Sequence, residues 1–132
     1  MAVFEGGCLC GAVRYRAIGE GSHRTLCHCR SCRRATGAPV VAWATFPARQ
    51  FEWISGEPKR LQSSPYVVRT FCPSCGSSLT YQREVSEVDV TVCTLDHPEL
   101  VPPEDHTWIS EKLAWMGVDD GRPRFDRMRD TI

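Results

Sequence analysis

The chain has 132 residues, 42% hydrophobic and 24% charged, which is ordinary globular usage and excludes wholesale disorder. That length suits a single domain, residues 1–132, with a modest core, and no apolar run is long enough for a membrane-spanning helix. The net charge of zero hides an asymmetry: residues 1–83 carry 11 basic and 4 acidic residues, and residues 84–132 carry 5 and 12.

In chain order, the opening MAVFEGGCLCG has neither a basic nor an apolar leader segment, so a cytoplasmic protein is expected. Cys8-Leu9-Cys10 comes first. Ala12–Ile18 then alternates as a strand, with Val13, Tyr15 and Ala17 on one face and Arg14 and Arg16 on the other. Arg30–Thr36 reads as a short helix closed by Gly37 and Pro39. Val40–Phe46, Phe51–Ile54, Tyr66–Phe71, Ser77–Tyr81 and Val88–Leu95 read as strands, and Pro98, Pro102 and Pro103 make the next stretch irregular. Many short strands with frequent turns predict an all-β fold with little helix. So many strands in so short a chain leave little interior, and metal crosslinks would supply what the core lacks.

Seven of the 8 cysteines fall in three tight groups: Cys8-Leu9-Cys10, Cys27-His28-Cys29-Arg30-Ser31-Cys32 and Cys72-Pro73-Ser74-Cys75-Gly76. In a reducing compartment such groups read as metal ligands before disulfides, and a bridge within Cys-x-Cys would be strained. In extended chain, residues i and i+2 share a face, so both sulfurs of Cys-x-Cys reach one ion. In Cys-x-x-Cys a tight turn does the same. Thiolate sets of this kind suit zinc or iron–sulfur clusters, with zinc preferred. Seven ligands divide as four plus three. Cys27, Cys29 and Cys32 can form a local three-ligand site, which leaves Cys8, Cys10, Cys72 and Cys75 for a closed one. The expectation is two ions per chain, one structural and one accessible.

The remaining chemistry-bearing residues have weaker signals. Cys93 reads as a core or sheet-face thiol, and His28, between two ligands, as a residue facing away from the metal. His23 and His106 are candidates for a fourth ligand or a proton carrier, and His97 reads as exposed. Trp43, Trp53, Trp108 and Trp115 read as core or pocket-wall residues. No acid occurs between Glu20 and Glu52, while Arg24, Arg30, Arg33, Arg34 and Arg49 do. A positive field around a metal site favours an anionic small substrate. The simpler alternative is that these arginines offset thiolate charge.

The three cysteine motifs in this order resemble the glutathione-dependent formaldehyde-activating (GFA) family, whose domain the centromere protein V group shares. Gly37-Ala38, Trp43, Gly56, His106, Trp115 and Asp120-Gly121 extend the likeness over nearly the whole chain. The resemblance implies a β-tent fold of short antiparallel sheets organised around zinc. It implies a structural zinc on Cys8, Cys10, Cys72 and Cys75 and an accessible one on Cys27, Cys29 and Cys32. It also implies a carbon–sulfur lyase-type activity on glutathione, of the S-hydroxymethylglutathione synthase kind. Arg30, Arg33 and Arg34 would attract the glutathione carboxylates. The rival reading is a non-enzymatic zinc-held interaction module. Nucleic-acid binding through the basic half ranks last, because no recognition motif accompanies the charge.

Overall fold

The computed structural model describes residues 2–129. Strand makes up 42% and helix 15%, so the mainly-β expectation holds. In chain order the elements are β1 (Val3–Gly7), β2 (Arg14–Ile18), β3 (Ser22–Cys27), α1 (Arg30–Thr36), β4 (Val41–Pro47), β5 (Phe51–Ser55), β6 (Lys59–Ser64), β7 (Val67–Phe71), β8 (Ser78–Gln82), β9 (Glu87–Thr91) and β10 (Asp105–Thr107). They form a three-stranded sheet, β1-β2-β5, and a seven-stranded sheet, β10-β3-β4-β9-β8-β7-β6. Every pairing is antiparallel except β10 with β3, which is parallel. Among the described residues no helix is long and apolar enough to cross a membrane.

Alternation along β4 divides the interior. Ala44 and Phe46 face the main core, with Val13, Tyr15 and Ala17 of the small sheet and Val88 and Val90 of β9. Val41 and Trp43 face the other side, where they pack with Cys27 and Cys32. Tyr15 and Phe46 are fully buried, and each such side chain contributes about 1.5–3 kcal/mol of hydrophobic stabilisation. The Tyr15 hydroxyl is 2.7 Å from Thr94 Oγ1. A Cβ on Gly6 would lie 2.6 Å from both the Thr94 carbonyl oxygen and the Tyr15 hydroxyl, so only glycine lets β1 cross at that point.

Four strands escape the sequence pattern: β1, β3, β6 and β10. β6 is exposed along its whole length on the sheet edge, so it carries no buried alternation to read. β1 ends in two glycines, and β10 is only three residues long. The Val88–Leu95 strand is shorter than expected, because a 3₁₀ turn takes over at Val92–Thr94. Cys93 sits on that turn and is exposed, not a core or sheet-face thiol. Trp43 is buried and Trp53 packs edge-on against Tyr15 at 6.0 Å, but Trp115 is 73% exposed and lines no core.

Candidate metal centres

Two facing turns build the larger group of sulfurs. After β1 the chain turns at Cys8–Gly11, with the Gly11 N–H donating to the Cys8 carbonyl at 3.1 Å. After β7 it turns again, with the Gly76 N–H donating to the Cys72 carbonyl at 2.8 Å. Both glycines have φ of +81°, a conformation other residues adopt only with strain. Cys8-Leu9-Cys10 therefore lies in a turn, not in the extended chain expected, yet the two sulfurs are 3.6 Å apart. Cys10 and Cys72, 62 positions apart in the chain, bring their sulfurs to 3.8 Å. All four sulfurs of Cys8, Cys10, Cys72 and Cys75 lie within 4.8 Å of one another.

Backbone amides point at this group. Val13 N–H donates to Cys8 Sγ at 3.2 Å, and the N–H groups of Ser74 and Cys75 donate to Cys72 Sγ at 3.3 and 3.4 Å. Such donors favour the thiolate form. The Ser77 hydroxyl accepts the Leu9 N–H at 2.9 Å and lies 3.2 Å from Cys75 Sγ, so it ties the two turns together. Chiefly because of that hydroxyl, the Cys75 thiol is brought down to about 5. Cys8 and Cys72 are buried in the main core. The group thus joins the small sheet, through β1, to the large one, through β7 and β8.

The second group is local. Cys27 ends β3, Cys29 is the N-cap of α1, and Cys32 lies in the helix's first turn. Cys29 has extended backbone (φ −66°, ψ 151°), and its sulfur accepts the Cys32 N–H at 3.3 Å. Capping therefore fixes Cys29 and Cys32 relative to each other. Gly37 closes α1 in the left-handed conformation, its N–H donating to the Arg33 carbonyl at 2.7 Å. The three sulfurs lie within 4.8 Å of one another, and no histidine or carboxylate among the described residues joins them. The Cys27 and Cys32 thiols, donating to it, hold the Cys29 thiol well below the ordinary thiol range.

Both groups fit a thiophilic divalent ion. Each offers soft donors at mutual distances short enough for one ion, and none is consumed in a disulfide.

His28 turns away from the thiols, as its place between two of them requires. It is fully buried, and its Nε2 lies 2.9 Å from His106 Nδ1. His106 Nε2 in turn lies 2.9 Å from Asp120 Oδ2, which Arg122 Nη1 also reaches at 3.0 Å. Both ring nitrogens of His106 are thereby engaged, which removes it as a fourth ligand. Burial, and next the neighbouring His106, push His28 down from the usual histidine range. His23 is exposed on an irregular part of β3, and His97 is exposed as expected.

The three arginines beside the second group have different surroundings. Arg30 and Arg34 are exposed, and the Arg30 N–H donates to Glu111 Oε1 at 2.8 Å. Arg33 donates through Nε to the His28 carbonyl and through Nη2 to the Glu111 carbonyl, both at 3.3 Å, which anchors α1. Sequence reasoning missed Arg69 of β7. It is only 8% exposed, its Nη2 lies 4.0 Å from Cys32 Sγ, and its guanidinium stacks over Tyr81 at 4.9 Å. The available signal was phase: Arg69 is two residues from buried Val67, on an inward position of the strand.

A shallow cleft of about 280 Å³ lies elsewhere, lined by Val3, Phe4, Glu5, Asp96, His97 and Leu100, and holds no thiol. The chemistry, not the concavity, marks the site.

The family model for the glutathione-dependent formaldehyde-activating enzyme matches residues 3–111. The chain belongs to that family. It is 34% identical over 83 residues to a Schizosaccharomyces pombe protein named an uncharacterized lyase. That match covers 61% of this chain and 58% of the yeast protein, so the chain spans little more than half of that relative. The fold is also that of a Rhodobacter sphaeroides protein of known crystal structure, with a TM-score of 0.58 at 22% identity over 92% of this chain and 98% of that one.

Proposed function

We propose that this member of the GFA family is a two-zinc, carbon–sulfur lyase-like enzyme acting on glutathione or a related thiol–aldehyde adduct. The observation that carries this reading is the unequal division of sulfurs. Four converge from distant segments, while three gather with no fourth protein donor among the described residues. Closed four-ligand sites are structural, and three-ligand sites keep a position for substrate. Family membership and the lyase-named relative point the same way.

In the proposed reaction the thiol sulfur forms a bond to the aldehyde carbon, the C=O bond becomes a C–O single bond, and the thiol proton ends on that oxygen. Zinc on Cys27, Cys29 and Cys32 would supply Lewis acidity and a seat for a soft sulfur ligand. The chain itself fixes the three donors, through the β3 end and the Cys29 cap. Arg30 and Arg34, exposed on the helix, would draw the carboxylates of glutathione toward it, an effect that added salt should weaken. Structural zinc on Cys8, Cys10, Cys72 and Cys75 would hold the sheets in register beneath. The protein would work as a single domain in the cytoplasm.

Calorimetry with glutathione and S-methylglutathione tests this. The thiol should bind the two-zinc protein more tightly than the thioether, and carbon-13 formaldehyde should report adduct formation by NMR. Equal affinity for thiol and thioether would remove metal–sulfur ligation from the reading. Two bound ions without adduct formation would favour the non-enzymatic module.

A further inference from the structure

A guanidinium stays protonated in a protein, so burying one demands negative charge nearby. Arg69 is buried, yet it takes part in no ion pair with a carboxylate among the described residues. Its near anionic neighbour is the three-sulfur group, through Nη2 and Cys32. Its other terminal nitrogen, Nη1, is buried and has no partner at all. Leaving such a donor unmade costs stability, and a ligand that accepts from it would remove that cost.

The guanidinium is a rigid planar fork, so the contact of Nη2 with Cys32 carries Nη1 into the same neighbourhood. A cation–π contact holds the fork in place. Tyr81, opposite Arg69 in the β7–β8 register, lies under it, and Trp43 packs against Tyr81 at 5.8 Å. Charge completes the argument. Three thiolates with a divalent ion leave the centre at about −1, which should repel an anionic fourth ligand. One buried cation removes that repulsion.

We propose that Arg69 receives the anionic sulfur ligand at the Cys27–Cys29–Cys32 centre, Nη2 serving the Cys32 sulfur and Nη1 donating to the incoming thiolate. This rests on reading that centre as a thiol site. It makes Arg69 a substrate-contacting residue, distinct from the exposed arginines of α1, which act on the approach. It also favours thiols that give up their proton readily on binding.

The test compares the metal-loaded protein with its Arg69→Met and Arg69→Lys variants, using elemental analysis, calorimetry and the thiolate absorption bands of the cobalt-substituted form. The probes are glutathione and thiocyanate. Both variants should keep two ions. Arg69→Met should bind glutathione about 10- to 100-fold more weakly, the range for losing a hydrogen bond to a charged group. Arg69→Lys, which keeps the charge but not the fork, should fall between. In Arg69→Met, glutathione should no longer perturb the cobalt bands at concentrations that saturate the wild type.

Wild-type affinity in Arg69→Met, or its loss of an ion, would overturn the role. If that variant does not fold, Arg69→Lys decides, and unchanged affinity there counts against the second donor. A wild-type protein that ignores glutathione but binds thiocyanate through Arg69 would sink the glutathione reading and keep this one. Binding of neither probe to the wild type would sink both.

Discussion

The two sulfur groups use the same ligand chemistry for opposite ends. The four-sulfur group joins turns whose facing members, Cys10 and Cys72, are 62 positions apart, is fed by backbone N–H donors and sits against the main core. The three-sulfur group is drawn from residues 27–32 and is surrounded by groups whose polarity is not met. Arg69 Nη1 and His28 Nδ1 are buried without partners. Along the same face, Tyr81 pairs with Arg69 on one side and with Asp89 on the other. A site that closes a long loop is placed to hold the fold. A site drawn from residues 27–32 closes no long loop, so it has less to add to the fold and more freedom to keep unmet polarity, a common cost of function.

Removing single sulfurs breaks the comparison most directly. A structural zinc supplies on the order of 10 kcal/mol, comparable with a small domain's whole stability. Cys10→Ser or Cys75→Ser should therefore give insoluble or unfolded protein. Cys29→Ser should stay folded and lose one ion. Thermal melts with metal analysis check this; equal melting of all three variants would mean the two groups share the load.

Chelation asks the same question without mutation. An ion with three protein ligands offers the chelator an open position, so it should leave first. Mild chelation should give a plateau near one zinc per chain with the melting temperature still high. Loss of both ions in a single step would contradict the division into closed and open sites.

How much of this was legible depended on where the chemistry sits in the chain. Cys8, Cys10, Cys27, Cys29, Cys32, Cys72 and Cys75 announce themselves because metal ligation imposes short spacings that chance rarely repeats three times. The core strands β2, β4 and β9 were readable because burial writes apolar periodicity into them. β6, exposed throughout, owes its place to backbone pairing with β7 alone, which leaves no side-chain trace. The His28–His106–Asp120 chain was illegible for another reason: it joins residues 78 and 14 positions apart through an irregular segment. Arg69 was hidden in plain alternation, as one polar residue at an inward phase, where a sequence gives no hint of the sulfur it will meet.

Asp89 measures what the face that carries Arg69 and Tyr81 gives up in stability. Burial raises its carboxyl from 3.8 to about 6, against the lowering effect of the Thr45 hydroxyl, which donates at 2.6 Å. The folded state therefore holds this proton more tightly than the unfolded one. Stability is greatest with Asp89 protonated, falls as the pH rises from about 4 through 6, and stays reduced above, by up to about 3 kcal/mol. Asp89→Asn keeps an acceptor for Thr45 and carries no charge. At pH 7.5 it should be about 1–3 kcal/mol more stable than the wild type in urea melts, and the gap should narrow as the pH falls and close below about pH 4. Taking the difference between variant and wild type at each pH cancels the thiolate contributions common to both. A constant difference across that range would show that Asp89 does not titrate abnormally.

The smallest effect belongs to the four-sulfur side. Arg14 of β2 grips Asp96 with two hydrogen bonds, at 2.9 and 2.6 Å, between side chains 32% and 41% exposed. Arg14 holds the Asp96 carboxyl below its ordinary range, so the pair stabilises above the ordinary carboxylate pKa, and that contribution is lost as the pH falls through the lowered one. Solvent screening keeps it to about 0.5–1 kcal/mol, and molar salt should erase most of that. The join is also redundant: the Asp96 N–H already donates to the Glu5 carbonyl at 2.9 Å, and Gly6 bridges Leu95. Asp96→Asn should thus lower the melting temperature by only a few degrees at low salt and by less still at high salt. A collapse as deep as that expected for Cys10→Ser would place the bond between the sheets in this surface pair and not in the sulfurs.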